Sequence, residues 1–282
     1  MQIKQHTIAS SAAFSGVGLH GGKPVEMRLL PAPDNYGIVF QRTDLGNEVF
    51  VHPLVEHVSH TRRSTEFAEN GVKVRTAEHL LAALRSLGVD NVLVQLDAPE
   101  VPILDGSALP YVTALGRCGL LEQKADRIYR RVKRHAEYRD PKSGSFVTVD
   151  PCDELVVDLT IDFKSPMVGR QQASYDDTVD FASQIAPCRT FCFYREIALM
   201  RFFGLIKGGS LDNALVIDDR KRCILGGKTL QFDNELARHK LLDLLGDFAL
   251  AGAPVLGRIT AYKPGHKTNT QALQYFINEA VL

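Results

Sequence analysis

Each half of this 282-residue chain closes on the same series of a helix, a strand and a helix, which confines it to folds built from two similar units. In the first half, apolar spacing predicts a helix capped by Thr76, running to about Leu87 and closed by Gly88. A strand at Asn91–Leu96 and a helix over about Ala108–Arg117 follow. In the second half the spacing gives a helix over about Glu235–Leu250, a strand at Val255–Tyr262 and a helix from about Thr268 to Glu279. Short alternating runs supply the sheets: Val25–Leu30 and Gly37–Gln41 in the first half, and Tyr129–Arg139, Phe146–Val149 and Glu154–Asp162 in the second. The polar stretch Glu122–Arg127 lies between them. The expected fold is α+β, with two similar domains at residues 1–124 and 125–282. Each is a sheet with helices on one face, and the helices pack between the two sheets.

The first helix of each trio carries the chemistry. Positions i and i+4 lie on one helical face, so His239 and Asp243 can point at a common atom, with Asp247 on the same arc of about 80° and Lys240 beside it. Adding His79 gives two imidazoles and one carboxylate, the usual open ligand set of a catalytic zinc. Glu78, next to His79, is the candidate base for a water at that metal. The plainer alternative is an amphipathic helix showing His239, Asp243 and Asp247 to water, with His79 only packed. His266 follows a strand on a glycine-containing turn. A carboxylate such as Asp247 can raise its pKa into the working range of an acid, or it is a loop histidine in solvent. The Thr190 hydroxyl can donate to an oxyanion, or serve only as a cap or turn.

Composition narrows the function classes. The chain has 33 basic and 33 acidic residues, so no global charge draws it to nucleic acid or an anionic surface. Five scattered cysteines are not a disulfide framework and favour a reducing, cytoplasmic setting. Cys188 and Cys192 are spaced like zinc ligands but have no partner pair, and read as free thiols. Met1–Ser10 has no apolar signal segment, and no run is long enough to span a bilayer. The basic run from Arg127 to Arg139 reads as a solvated face, and Lys207-Gly208-Gly209-Ser210 lacks the spacing of a phosphate loop. A monomer acting on a small molecule is expected.

Seven motifs occur in order: Gly16-Val17-Gly18-Leu19-His20, Thr76-Ala77-Glu78-His79-Leu80, Ile103-Leu104-Asp105-Gly106-Ser107, Arg189-Thr190-Phe191, Gly208-Gly209-Ser210, Arg238-His239 through Gly246-Asp247, and Gly265-His266. As an ordered set they resemble the LpxC family, zinc-dependent UDP-3-O-acyl-N-acetylglucosamine deacetylases of lipid A biosynthesis, along the whole chain. The resemblance implies that His79, His239 and Asp243 bind Zn2+ and that Glu78 is the base. It further implies that His266, oriented by Asp247, is the acid, and that Thr190 and Lys240 stabilise the oxyanion. It places Lys263, Phe163 and Phe193 near the nucleotide, and Phe191, Ile197, Ile206, Leu211 and Val216 along an acyl passage at the Gly208-Gly209 turn. Pro264, before Gly265, departs from the family pattern and stiffens the approach to His266. Leu199, Phe202 and Phe203 add apolar surface nearby but read more readily as core. The basic residues within Ser59–Arg63 could touch the diphosphate or solvent.

Two rival readings use the same residues. A zinc peptidase shares the chemistry, but no H-E-x-x-H occurs. A binding module with a structural metal needs a fourth ligand, which the sequence does not offer.

Overall fold

The computed structural model describes residues 3–46 and 48–282, so Met1, Gln2 and Asn47 lie outside the described residues. Its helices are α1 (Glu78–Ser86), α2 (Leu109–Cys118), α3 (Phe181–Gln184), α4 (Tyr194–Phe202), α5 (Glu235–Phe248) and α6 (His266–Asn278). No helix among the described residues is long and apolar enough to cross a membrane.

The repeat read in the sequence extends to the strand order. In the first sheet the spatial order is Ala12–Val17, Pro24–Pro31, Val92–Leu96, Ile38–Arg42, Phe50–Val51. In the second it is Ala136–Arg139, Phe146–Asp150, Val255–Tyr262, Leu155–Asp162, Arg170–Tyr175, and Arg130–Arg131 adds at Val255–Leu256. Numbered along each half, both sheets run 1-2-5-3-4. In both, the one parallel pair of this series joins the last strand to the third, Val92–Leu96 to Ile38–Arg42 and Val255–Tyr262 to Leu155–Asp162. A parallel pair needs a long crossover. In each half that crossover carries the first helix of the trio, α1 or α5, and a small three-stranded sheet. These small sheets are Val58–His60, Glu66–Glu69 and Val72–Arg75 in the first half, and Phe191–Phe193, Leu215–Asp218 and Cys223–Ile224 in the second.

Strand burial alternates, as along Pro24–Pro31 and Val255–Tyr262, because each sheet turns one face to the core. The helices fill the space between the sheets: α5 packs on α1, on α6 and on the strands Leu155–Asp162 and Arg170–Tyr175. Twelve residues of α5 are buried, His239, Asp243 and Asp247 among them, so its polar stripe faces protein rather than water. The fold is thus the expected mixed α+β architecture with helices between two sheets.

Several local expectations shift. Glu122–Arg127 is mostly strand, because Leu120–Asp126 pairs antiparallel with Lys4–Ile8 and ties the N-terminus to the end of the first half. Tyr129–Arg139 is broken into two short strands around residues 132–135. Thr76 does not cap α1: it has φ 58°, and Ala77 takes the cap position. α6 begins at His266, two residues earlier than expected, so this histidine lies in a helix's first turn and is buried rather than on an open loop. Leu199, Phe202 and Phe203 are exposed and not core.

Gly246 sets the spacing of the two central helices. A Cβ there would lie 2.1 Å from the carbonyl oxygen of Glu78. Since that neighbour is backbone, relief requires α1 and α5 to separate. Gly246→Ala is therefore expected to destabilise by about 2–3 kcal/mol, seen as a lower Tm in thermal unfolding. An unchanged Tm would show that the helices have slack.

Candidate metal centre at the seam of the two halves

The first turn of α1 and the middle of α5 bring three donors together. Nε2 of His79 is 3.6 Å, and Nε2 of His239 3.4 Å, from Oδ1 of Asp243. All three ligand atoms lie within 4.8 Å of one another. Tetrahedral ligands of zinc, at about 2.0–2.1 Å from the ion, stand roughly 3.3–3.4 Å apart, so the set closes on a metal with little movement. The two imidazole rings meet edge to face with centroids 5.1 Å apart.

Surrounding groups fix the form each donor takes. Nδ1 of His239 lies 3.1 Å from the carbonyl oxygen of Cys188 and donates to it, leaving the Nε2 lone pair toward the site. Burial pushes the His239 pKa down to about 3 against the pull of Asp243, so the ring is neutral, the form that ligates. Burial opposes the charge of Asp243, but Lys240 and His239 hold its carboxyl well below the ordinary range. Lys240 Nζ donates to Asp243 Oδ2 over 2.7 Å, which leaves Oδ1 for the two histidines. A neutral His239 and an ionised Asp243, joined by the His79 imidazole, fit a divalent zinc.

Glu78 and His266 flank this set. Burial raises the Glu78 pKa, the charges of Asp243 and Asp247 add to this, and His266 and His79 oppose it. Nε2 of His266 is 3.7 Å from Glu78 Oε1 and 3.9 Å from Asp243 Oδ2, while Nδ1 donates to Asp247 Oδ2 over 3.0 Å. Burial works against its charge, yet Asp247 and Glu78 outweigh that and raise its pKa to about 9. Two residues with no sequence signal complete the shell: the Thr65 hydroxyl donates to Asp247 over 2.6 Å, and the Asn269 amide does so over 2.8 Å. Thr65 also directs its backbone N–H at Glu78, 3.4 Å away.

Thr76 explains how α1 can start inside the protein. A β-branched residue at φ 58° costs on the order of 1–3 kcal/mol. It is held there by its hydroxyl donating to buried Glu100 over 2.9 Å. Glu100 also accepts from the backbone N–H groups of His20 and Gly21. The reversed backbone turns Glu78 and His79 inward at once.

Two cavities meet at Thr190 and Phe191. One, of about 360 Å³, contains Glu78, His79, Asp243, His266, Lys240, Thr190 and Lys263. Arg63 and Lys267 also line it, but Arg63 pairs with Glu196 and Lys267 with Asp140. Lys263 makes no ion pair among the described residues. The other cavity, of about 170 Å³, is lined by Phe191, Ile197, Ile206, Gly209, Leu211 and Val216, with Met200 behind them. Phe163 and Phe193 line neither: they pack on Phe191 and on each other, and Phe193 is buried. Cys188 and Cys192 are free thiols whose pKa values burial pushes up to about 12 and about 11. Arg127 turns from the solvated face to pair with Asp90.

The His266 titration has a definite sign. Its raised pKa contributes stability that is full below about 6.5 and lost as pH rises through about 9. Asp247→Asn is expected to lower the His266 pKa in the metal-free protein, measured by NMR of the labelled imidazole, and to flatten the stability loss between those values. A pKa still near 9 in the variant would show that Asp247 does not set it.

Fold and site together define a class: duplicated α+β proteins that bury a two-histidine, one-carboxylate metal-type site where their halves meet. This chain belongs to the LpxC family, whose model, described as UDP-3-O-acyl N-acetylglycosamine deacetylase, matches residues 5–278. It is 46% identical over 271 residues to the UDP-3-O-acyl-N-acetylglucosamine deacetylase of Anaeromyxobacter sp. (strain Fw109-5), covering 95% of this chain and 86% of that protein. It is 42% identical over 284 residues to the protein of the same name from Saccharophagus degradans, covering 98% and 91%. It is also 43% identical over 290 residues to the bifunctional enzyme LpxC/FabZ of Porphyromonas gingivalis, covering 95% of this chain. The chain spans 63% of the length of the bifunctional relatives it matches.

Proposed function

We propose that this protein is a zinc-dependent amidohydrolase that removes acetate from the N-acetyl group of UDP-3-O-acyl-N-acetylglucosamine, the committed step of lipid A biosynthesis. The observation that carries this reading is the buried set His79, His239 and Asp243, with Glu78 and His266 facing each other across its open side. Bound there, a zinc ion supplies a water of lowered pKa and polarises an acyl carbonyl.

The chain's own residues divide the remaining work. Glu78, its pKa raised by burial, takes the proton of the attacking water. The ammonium of Lys240 and the hydroxyl of Thr190 border the same cavity and supply positive potential and a donor where the carbonyl oxygen gains charge. His266, held by Asp247 and charged at neutral pH, keeps a proton at Nε2 for the departing amine, which could not leave as an anion. Among the cavity's cations, Lys263 alone pairs with no carboxylate of the described residues, which suits it to the diphosphate. Phe163 and Phe193 then act by backing Phe191 rather than by touching the nucleotide. The smaller cavity takes the acyl chain. We also propose that the protein works as a cytoplasmic monomer of two domains, residues 1–124 and 125–282, a division that falls near the end of the strand Leu120–Asp126.

The test compares acetate release from UDP-3-O-acyl-N-acetylglucosamine with release from the same sugar nucleotide lacking the acyl chain. A kcat/KM at least about a hundredfold higher for the acylated substrate is expected, from the apolar surface the chain buries. Equal values would remove the smaller cavity from the reading. A peptidase reading gains nothing from this site, since it leaves Lys263, the cavity cation with no carboxylate partner among the described residues, without an anionic group to meet.

A further inference from the structure

α4 is built inside out for a helix at a water-facing surface. Met200 is buried and Ile197 half-buried on the side that lines the smaller cavity. At 100° per residue, the outward arc holds Tyr194, Ala198, Phe202 and Leu199 with Arg195 among them. Exposed Arg201 sits at the edge of that arc toward Ile197 and also borders the smaller cavity. Leu199 is 57% exposed, Phe202 83% and Phe203 50%. The rings of Phe202 and Phe203 contact each other with centroids 5.4 Å apart, so the apolar surface is continuous rather than scattered. Continuous exposed apolar surface on a folded chain marks a site of interaction.

Charge selects the partner. Residues 194–228 carry seven Lys and Arg against four Asp and Glu, within a chain of zero formal net charge. Arg195 pairs with Asp219, and Glu196 is taken by Arg63. Arg201, Lys207 and Arg62, beside the aromatic patch, have no carboxylate partner among the described residues. Arg62 instead lies over the Phe203 ring, 4.2 Å from its centroid. Aromatic and leucine side chains flanked by unpaired cations are the composition of a helix that lies in the headgroup region of an anionic bilayer.

We propose that the outer face of α4 docks this protein on the surface of an anionic phospholipid membrane. Leu199, Phe202 and Phe203 enter the boundary between headgroups and acyl chains, and Arg201 and Lys207 meet lipid phosphates. Leu211, half exposed, also lines the smaller cavity, so docking sets that cavity beside the lipid. That last consequence rests on the acyl-passage reading; the docking itself does not.

The test is co-sedimentation of the full chain with vesicles of phosphatidylcholine alone or mixed with about one quarter phosphatidylglycerol, at low and high salt. Binding to the mixed vesicles, weakened by salt, is expected. Leu199→Ser/Phe202→Ser is expected to lower it at least about tenfold. Both side chains are exposed and neither lines a cavity, so the variant's Tm and its hydrolysis of a short-acyl substrate are expected to match the wild type. No binding by the folded wild type, or equal binding by the variant, overturns the proposal. Equal binding to uncharged vesicles also overturns it. A concentration-dependent dimer that the variant abolishes, without vesicle binding, would assign the patch to a second copy of the chain. Because binding is read without turnover, failure of the deacetylase reading leaves this result standing.

Discussion

Glu78→Gln is expected to keep one equivalent of zinc and to lose about 10²–10⁴ in kcat, the range of a positioned general base. Glutamine matches glutamate in shape and still accepts from the N–H of Thr65, so α1 and its neighbours stay in place. What it cannot do is take a proton. Glu78 is also one of the carboxylates that raise the pKa of His266, so the variant's His266 titrates lower in the metal-free protein. Kinetics and zinc content measured on the same sample make the check. A Gln variant near wild-type activity would show that the base lies elsewhere, and loss of zinc would make Glu78 a ligand.

His239→Ala is expected to lose zinc and turnover together. It removes one of three donors and leaves a space between α5 and the Cys188 segment that alanine does not fill. The buried carbonyl of Cys188 loses its donor, and the ionised Asp243 loses one of the groups that hold its pKa down. Metal content after dialysis against a mild chelator is expected to fall from about one equivalent to near zero, with kcat down at least about 10³-fold. The pairing separates the two roles: Glu78→Gln uncouples metal content from activity, whereas His239→Ala moves both. Retained zinc in His239→Ala would exclude His239 as a ligand.

The duplicated layout and the donor set were legible because both depend on short-range periodicity. An i, i+4 spacing puts His239 and Asp243 on one helical face whatever surrounds them, and two helix–strand–helix series imply two sheets. Whether the polar stripe of α5 faced water could not be read that way, because a solvent-facing stripe and a seam between two sheets have the same spacing. Thr65 and Asn269 escaped for another reason: Thr65 meets Asp247 from 182 positions away, and no local pattern marks a hydroxyl or amide for a carboxylate that distant. The early start of α6, expected at about Thr268, carried no capping signal, because Gly265 holds the cap position without any side-chain bond. Leu199, Phe202 and Phe203 were misplaced because apolar character was equated with burial. Their exposure became informative only once the other side of α4 was seen to wall a cavity.

The most direct test of the central claim is acetate release from UDP-3-O-acyl-N-acetylglucosamine by metal-stripped protein, before and after one equivalent of zinc. The account predicts negligible release without the metal and full turnover once it is restored. No release in either state from folded protein would contradict the deacetylase reading, and equal release in both would remove zinc from the chemistry.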